Sequence, residues 1–163
     1  MSDSSNELPS GARTTNGFVV SGLWKRLRAA LSPSRDLPVH LQRGEEGEAL
    51  AASYLTERGL KLLKRNFRAK RGEVDLVLRD GDCLVFCEVK TRSDERWTRP
   101  AAAVNQKKRR NLTLAALEYL RRLGNPEVKV RFDIVEVLLH DAGSAEVRHL
   151  PNSFEMEAPY RYG

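Results

Sequence analysis

Gly72-Glu73-Val74-Asp75-Leu76-Val77-Leu78-Arg79-Asp80-Gly81-Asp82-Cys83-Leu84-Val85-Phe86-Cys87-Glu88-Val89-Lys90 is the stretch that decides the fold. Val74–Leu78 and Cys83–Val89 are short apolar runs rich in Val, Leu and Phe, with turn residues at their ends, and they read as strands. Asp-Gly between two such runs predicts a hairpin, here with a loop slightly longer than two residues. Side chains alternate along a strand, so Leu84, Phe86, Glu88, Lys90 and Arg92 share one face and Cys83, Val85, Cys87 and Val89 the other. Glu88 and Lys90 then lie roughly 7 Å apart on one side. An antiparallel partner brings Asp75 close to them. The apolar halves anchor the hairpin, and the polar ends emerge at the sheet margin.

Charged side chains in β-type sequence are costly to place near a core. Two carboxylates and a lysine on neighbouring strands are what a Mg²⁺-dependent nuclease needs. Mg²⁺ takes oxygen ligands, commonly one or two carboxylates with waters and substrate phosphates. Asp75 and Glu88 can supply the carboxylates, and the Val89 carbonyl a third oxygen. Such a metal polarises the scissile phosphate and lowers the pKa of a bound water. Lys90 would hold that water and offset negative charge in the transition state. Glu-x-Lys is common by chance, however, and alone it reads as a surface salt bridge. Asp75 on the preceding strand brings the two readings level, and spacing leaves both open.

Upstream, Gly44 to Leu55 reads as a helix running to about Arg58 and ended by Gly59. Ala51, Tyr54, Leu55 and, a turn earlier, Glu48 fall near one face. Glu48 is thus a candidate inward or margin-facing carboxylate. Glu45 and Glu46 read as first-turn acids that suit the helix dipole, a reading that also suits Glu48. Leu60–Phe67 reads as the first strand. Asn105–Leu123 reads as a second helix, with Leu112, Ala115, Ala116, Tyr119, Leu120 and Leu123 as its buried stripe and Gly124-Asn125-Pro126 as its stop. Val128–Leu139 is a further strand and Glu146–Leu150 a last short one. Asp133, within Arg131-Phe132-Asp133, reads as a structural ion pair or strand-end hydrogen bond.

Gly44-x-x-x-Glu48-x-x-Ala51-x-x-Tyr54-Leu55, Asn66-x-Arg68, Gly72-Glu73-x-Asp75-Leu76, Val85-Phe86-x-Glu88-Val89-Lys90-x-Arg92, Ala103-Val104-x-x-x-Lys108 and Arg131-Phe132-Asp133 occur in that order. The set, covering about Gly44 to Val137, resembles the YraN-like family of small bacterial proteins. That family in turn resembles Holliday-junction resolvases and other restriction-endonuclease-like proteins. The resemblance implies an α/β fold with a restriction-endonuclease-like core, α-β-β-β-α-β, and a central mixed sheet flanked by helices. It implies a PD-(D/E)xK type site of Asp75, Glu88 and Lys90, with Asp75 and Glu88 on Mg²⁺ or Mn²⁺, and Glu48 as the helix glutamate that completes it. Glu73 matches a family position and either serves the site or braces Arg68. The activity expected is metal-dependent endonucleolytic hydrolysis of DNA, on branched or damaged substrates, by a homodimer. The alternative is a non-catalytic nucleic-acid-binding module, because folds outlive their activities. Ser93–Pro100 lacks the glycine often found near Trp97 in such proteins, which leaves the shape of that loop open.

Composition agrees with one small domain: 163 residues, net charge +6 and a pI of about 9.6, which suits a polyanionic partner. Lys61, Lys64, Arg65, Arg68, Lys70 and Arg71 fall within eleven residues free of acids, and Lys107-Lys108-Arg109-Arg110 opens the second helix. Arg68, Lys70, Arg71, Arg92, Lys107 and Lys108 are the candidate phosphate contacts. No base-reading signature is present, so recognition of DNA shape is expected rather than of sequence. Trp97 either stacks on a base or packs the loop. No run is long and apolar enough to span a bilayer, and the start is not a signal peptide, so a cytoplasmic location is expected. Cys83 and Cys87 would stand roughly 13 Å apart on one strand, beyond disulfide reach. Three scattered histidines and two cysteines offer no zinc site. Residues 1–40 read as an N-terminal extension, disordered to about 17. An amphipathic stretch over 18–31 reads as a helix on its own domain or in a linker, with a membrane-surface or partner-binding helix as the alternative. Residues 41–154 form the domain and 155–163 a flexible tail.

Overall fold

The computed structural model describes residues 18–19, 38–93, 104–140 and 144–162. In chain order these form β1 (Phe18–Val19), α1 (Val39–Glu57), β2 (Lys61–Ala69), β3 (Gly72–Asp80), β4 (Cys83–Arg92), α2 (Gln106–Arg122), β5 (Lys129–Leu139) and β6 (Ala145–Phe154). One mixed sheet runs β1-β6-β5-β4-β3-β2. β4 and β5 are parallel, and the other described pairs are antiparallel. A parallel pair needs a long crossover, and α2 supplies it. This is the expected restriction-endonuclease-like core, extended by β6.

Two apolar layers hold the helices on the sheet. Leu50, Ala51, Tyr54 and Leu55 of α1 meet Leu76, Leu78, Val85, Cys87, Val135 and Val137 on one face. Leu112, Ala115, Ala116 and Leu120 of α2 meet Phe67, Val74, Val77, Phe86 and Phe132 on the other. Tyr119 packs edge-on against Phe67, with ring centroids 5.0 Å apart. Leu123, expected in that stripe, is the C-cap and is 52% exposed, because the helix ends before it.

Several expectations are corrected. α1 begins at Val39, with Leu41 and Gln42 donating to the Pro38 carbonyl at 2.9 and 3.1 Å. Glu45 and Glu46 therefore lie past the first turn, where the dipole has little hold. Phe18 and Val19, expected to open a helix, pair with Val147 and Glu146 along the outer edge of β6, where unpaired backbone groups accept a strand. Residues 20–31 lie outside the described residues. Past β6 the chain contacts the domain: Glu157 N–H donates to Thr113 Oγ1 at 3.1 Å, Arg109 pairs with Glu157 at 2.9 Å, and the Tyr162 hydroxyl bonds the Pro126 carbonyl. Cys83 and Cys87 are free thiols, as expected.

The β2–β3 turn meets α2 at Gly72, which has φ +113°, and a Cβ built there would lie 2.4 Å from the Asn111 carbonyl oxygen. Backbone conformation and space both demand glycine. Gly72→Ala should cost roughly 2–4 kcal/mol in urea unfolding.

One irregularity places the site. Val74 and Val77 face α2, whereas Leu76 and Leu78 face α1. Strict alternation would put Val74 with Leu76. The alternation breaks at Asp75, opposite Asn66, which adopts φ +48°. The β2–β3 ladder is recorded on either side of this pair and not at it. The β3–β4 ladder stops at Leu76–Cys87. β3 thus leaves β4 at Asp75, and the sheet opens there, at the carboxyl end of β4.

Candidate metal and phosphate site

Asp75 fills the opening between the strands. Its Oδ2 accepts the Val89 N–H at 2.7 Å, a bond the ladder would otherwise have used. Burial, and next the Glu88 carboxylate, push Asp75 up to about 7. The Val89 N–H and Lys108 oppose that rise, and Glu48 adds to it.

Glu88 is 2% exposed, and two ammonium groups hold it. Lys90 Nζ donates to Oε1 at 2.6 Å. Lys108, from the first turn of α2, brings its Nζ to 3.1 Å from Oε2 and 3.9 Å from Glu73 Oε1. Oε2 is buried and has no other partner among the described residues. Burial works against charge on Lys108, but Glu88 and Asp75 outweigh it and hold the ammonium above its ordinary range.

Glu48 reaches this group from the α1 side. Burial pushes its carboxyl up, while a hydrogen bond from the Asn66 side chain and the charge of Arg65 pull it down. The residue opposite the strand break thus also steadies the helix glutamate. Burial of this kind around grouped acids is more frequent at functional sites than elsewhere.

Asp75, Glu88, Lys90 and Glu48 are therefore gathered at one end of the sheet. Two clefts flank them. Arg68, Gly72, Glu73, Lys108 and Asn111 line the one beside α2. His40, Arg43, Gly44, Lys90 and Arg92 are among those lining the one beside α1. Of the candidate phosphate contacts, Arg68, Lys108 and Arg92 lie on these clefts. Lys70, Arg71 and Lys107 are exposed and line neither. A larger apolar cleft of about 870 Å³, lined by Leu84, Val130, Phe132 and Phe154, sits at the far end of β4 and holds none of the acids grouped around Asp75.

Three features do not follow from the sequence pattern. Lys108, expected as a phosphate contact, is also a partner of Glu88. Asn66, expected only as part of an ordered motif, supports Glu48. His40 and Arg43 stand with Gly44 and Gly47 at i, i+3, i+4 and i+7, but only a helix that starts before Gly44 puts them on one face.

Among the described residues, no three His, Cys, Asp or Glu side chains converge closely enough to hold a metal unaided. Mg²⁺ does not require three, since waters and phosphate complete its shell. The donor set fits such an ion: two hard carboxylates, one with a buried oxygen met only by the Lys108 ammonium at 3.1 Å and the other kept from ionising fully by burial and next by its neighbour.

Comparison with known proteins agrees with the pattern of residues. The model of the family described as "Uncharacterised protein family UPF0102" matches residues 47–137. A UPF0102 protein of Rhodococcus jostii (strain RHA1) is 43% identical over 115 residues, covering 71% of this chain and 98% of the relative. One from Geotalea uraniireducens (strain Rf4) is 41% identical over 123 residues, 76% and 97% of the two chains. Another, from Anaeromyxobacter dehalogenans (strain 2CP-C), is 46% identical over 112 residues, 69% and 83%. With the family match spanning the helix glutamate, the strand acids and Lys90, this chain belongs to the UPF0102 family, the one its sequence resembles under the name YraN-like.

Proposed function

We propose that this protein is a divalent-metal-dependent endonuclease that hydrolyses DNA phosphodiesters, with branched or damaged strands as its substrates. The observation that carries the reading is the crowding of Asp75 and Glu88 where β3 and β4 part, with Lys90 on Glu88. Asp75 and Glu88 are the residues that would hold Mg²⁺ or Mn²⁺, and Glu48 would support them. Such an ion supplies Lewis-acid polarisation of the phosphate and a more acidic water. Lys90 then sets an ammonium beside the reacting phosphate, and Lys108 and Arg68 supply positive charge on the α2 side. The opening lies at the carboxyl end of the parallel pair β4–β5, where open α/β sheets commonly bind ligands. Free thiols suit a cytoplasmic location, and among the described residues no helix is long and apolar enough to cross a membrane. A homodimer is carried over from the likeness to resolvases.

The test is cleavage of synthetic junctions, flaps and single strands with Mg²⁺ or Mn²⁺. Asp75 must lose its proton to take a cation. With metal well below saturation, the rate should therefore fall about tenfold per pH unit below about 7 and level off above it. One observation favours a second reading. Lys90 and Lys108 both neutralise Glu88, which also suits a module that binds nucleic acid without cutting it. That reading predicts salt-sensitive binding and intact substrates under every metal tried.

A further inference from the structure

The cleft between the first turns of α1 and the end of β4 has a volume of about 760 Å³. Two glycines on one face of α1 shape it. Gly47 seats the helix: a Cβ there would lie 1.9 Å from Thr91 Oγ1. Gly44 has no such duty, since a Cβ there would meet nothing within 4 Å. Glycine inside a helix costs about 1 kcal/mol relative to alanine, and packing does not explain this one. It leaves the floor of the cleft bare.

The walls are basic and unsatisfied. Arg92 Nε is buried and meets no hydrogen-bond acceptor among the described residues. A buried donor left unmet costs on the order of 1–3 kcal/mol, so an acceptor belongs there. Neither Arg43 nor Arg92 has an ion-pair partner among the described residues. The one carboxylate lining the cleft, Glu48, is engaged by the Asn66 side chain and lies near Arg65. Lys90 lines the cleft while its ammonium reaches Glu88, so the cleft adjoins the acid group directly.

We infer that this cleft is a phosphate-binding subsite, holding a second phosphate of the strand next to the one at Asp75 and Glu88. Two arginines lining one cleft over a bare helix floor suit a multi-oxygen anion, which guanidinium groups can grip with paired N–H donors. The identity of that anion as a nucleic-acid phosphate rests on the nuclease reading. The cleft itself does not.

The test uses fluorescein-labelled single-stranded DNA, with anisotropy read in EDTA across a KCl series. In the Arg43→Ala/Arg92→Ala variant, the slope of log K against log salt should become shallower by about 1.4, the loss of two phosphate contacts on a single strand. Gly44→Leu should weaken binding at least about tenfold without lowering the melting temperature, because leucine is the better helix former. A loss confined to 5′-phosphorylated strands would identify a terminal monoester, and an equal loss on 5′-hydroxyl strands an internal diester. Either supports the subsite. Variants that bind like wild type overturn it. Cleavage in Mg²⁺, measured on the same proteins, separates the two proposals. A wild type that cuts, with variants that bind normally, removes the subsite alone. Lost binding in variants of a protein that never cuts removes the nuclease and keeps the subsite.

Discussion

Asp75→Asn should lower metal-dependent DNA cleavage by at least about 10³-fold and, at the same time, make the protein more stable above pH 7. The first effect follows from removing a charged ligand, because metal stabilisation of the transition state is worth several kcal/mol and each decade of rate about 1.4. The second follows from where Asp75 sits. Its carboxyl is pushed up to about 7, against 3.8 for an unperturbed aspartate. Between those values the folded protein holds a proton that the unfolded chain has released. Stability therefore falls as pH rises from about 4 to about 7, and stays at the lower level beyond. Asparagine has no proton to lose and does not repel Glu88, and its amide oxygen can still accept the Val89 N–H. Its advantage should grow across that window and reach on the order of 2 kcal/mol at pH 8. Urea unfolding at pH 5 and pH 8 reads the stability, and a strand-cleavage assay reads the rate. An Asp75→Asn protein that cuts normally, or whose relative stability does not rise with pH, sinks the assignment of this residue. Under the proposed nuclease reading, a group that serves the reaction and burdens the fold is the expected trade.

The second large effect is structural. Asp133→Ala should lose roughly 3–5 kcal/mol, as expected when one member of a buried ionic network is removed. Asp133 is fully buried and accepts Arg131 Nε at 2.9 and 3.1 Å, the Asn152 N–H at 2.9 Å and His149 Nε2 at 2.8 Å. Arg131 in turn reaches Asp80 at 2.9 Å, tying the β3–β4 turn to β5. Asn152 lies in the irregular stretch where the register of β5 and β6 shifts, at φ +50°, so its N–H cannot rejoin the ladder. Burial works against the Asp133 anion, but the bonds from His149, Arg131 and Asn152 prevail and hold its carboxyl below the usual range. A lowered carboxyl gives stability above its unfolded pKa and loses it as pH falls through the folded one, so this contribution should fade below about pH 4. The midpoint and slope of urea unfolding test the claim. A change under 1 kcal/mol would show that the network is replaceable, and Asp133→Asn, which keeps the shape, should fall between wild type and Ala.

Much of this architecture was legible in the residues. Asp80-Gly81 between two valine-rich runs specified the hairpin, and period two put Glu88 and Lys90 on one side of β4. The helix stripe Leu112, Ala115, Ala116 and Leu120 was readable because it repeats every three to four residues. Asp133 read as structural and lies in a buried network. Errors fell at ends. α1 starts at Val39, where the only cap is a backbone carbonyl, and no side-chain signal marks it. The tail after Phe154 has no periodicity, yet Met156 and Tyr162 pack on the α2 layer.

From α1 to β6, periodicity, turn chemistry and spacing are local, so element types, their order and the roster of acids and bases could be read directly, and the ordered motifs pointed to the family. How that roster becomes a candidate site depends on long-range packing. The left-handed turn of Asn66 breaks the alternation of β3 and aims Asp75 into the gap beside Val89. α2 crosses the sheet to deliver Lys108 to Glu88, and a missing Cβ at Gly47 lets α1 rest on Thr91. Each of these joins residues far apart in the chain, and no local pattern encodes the distance between them.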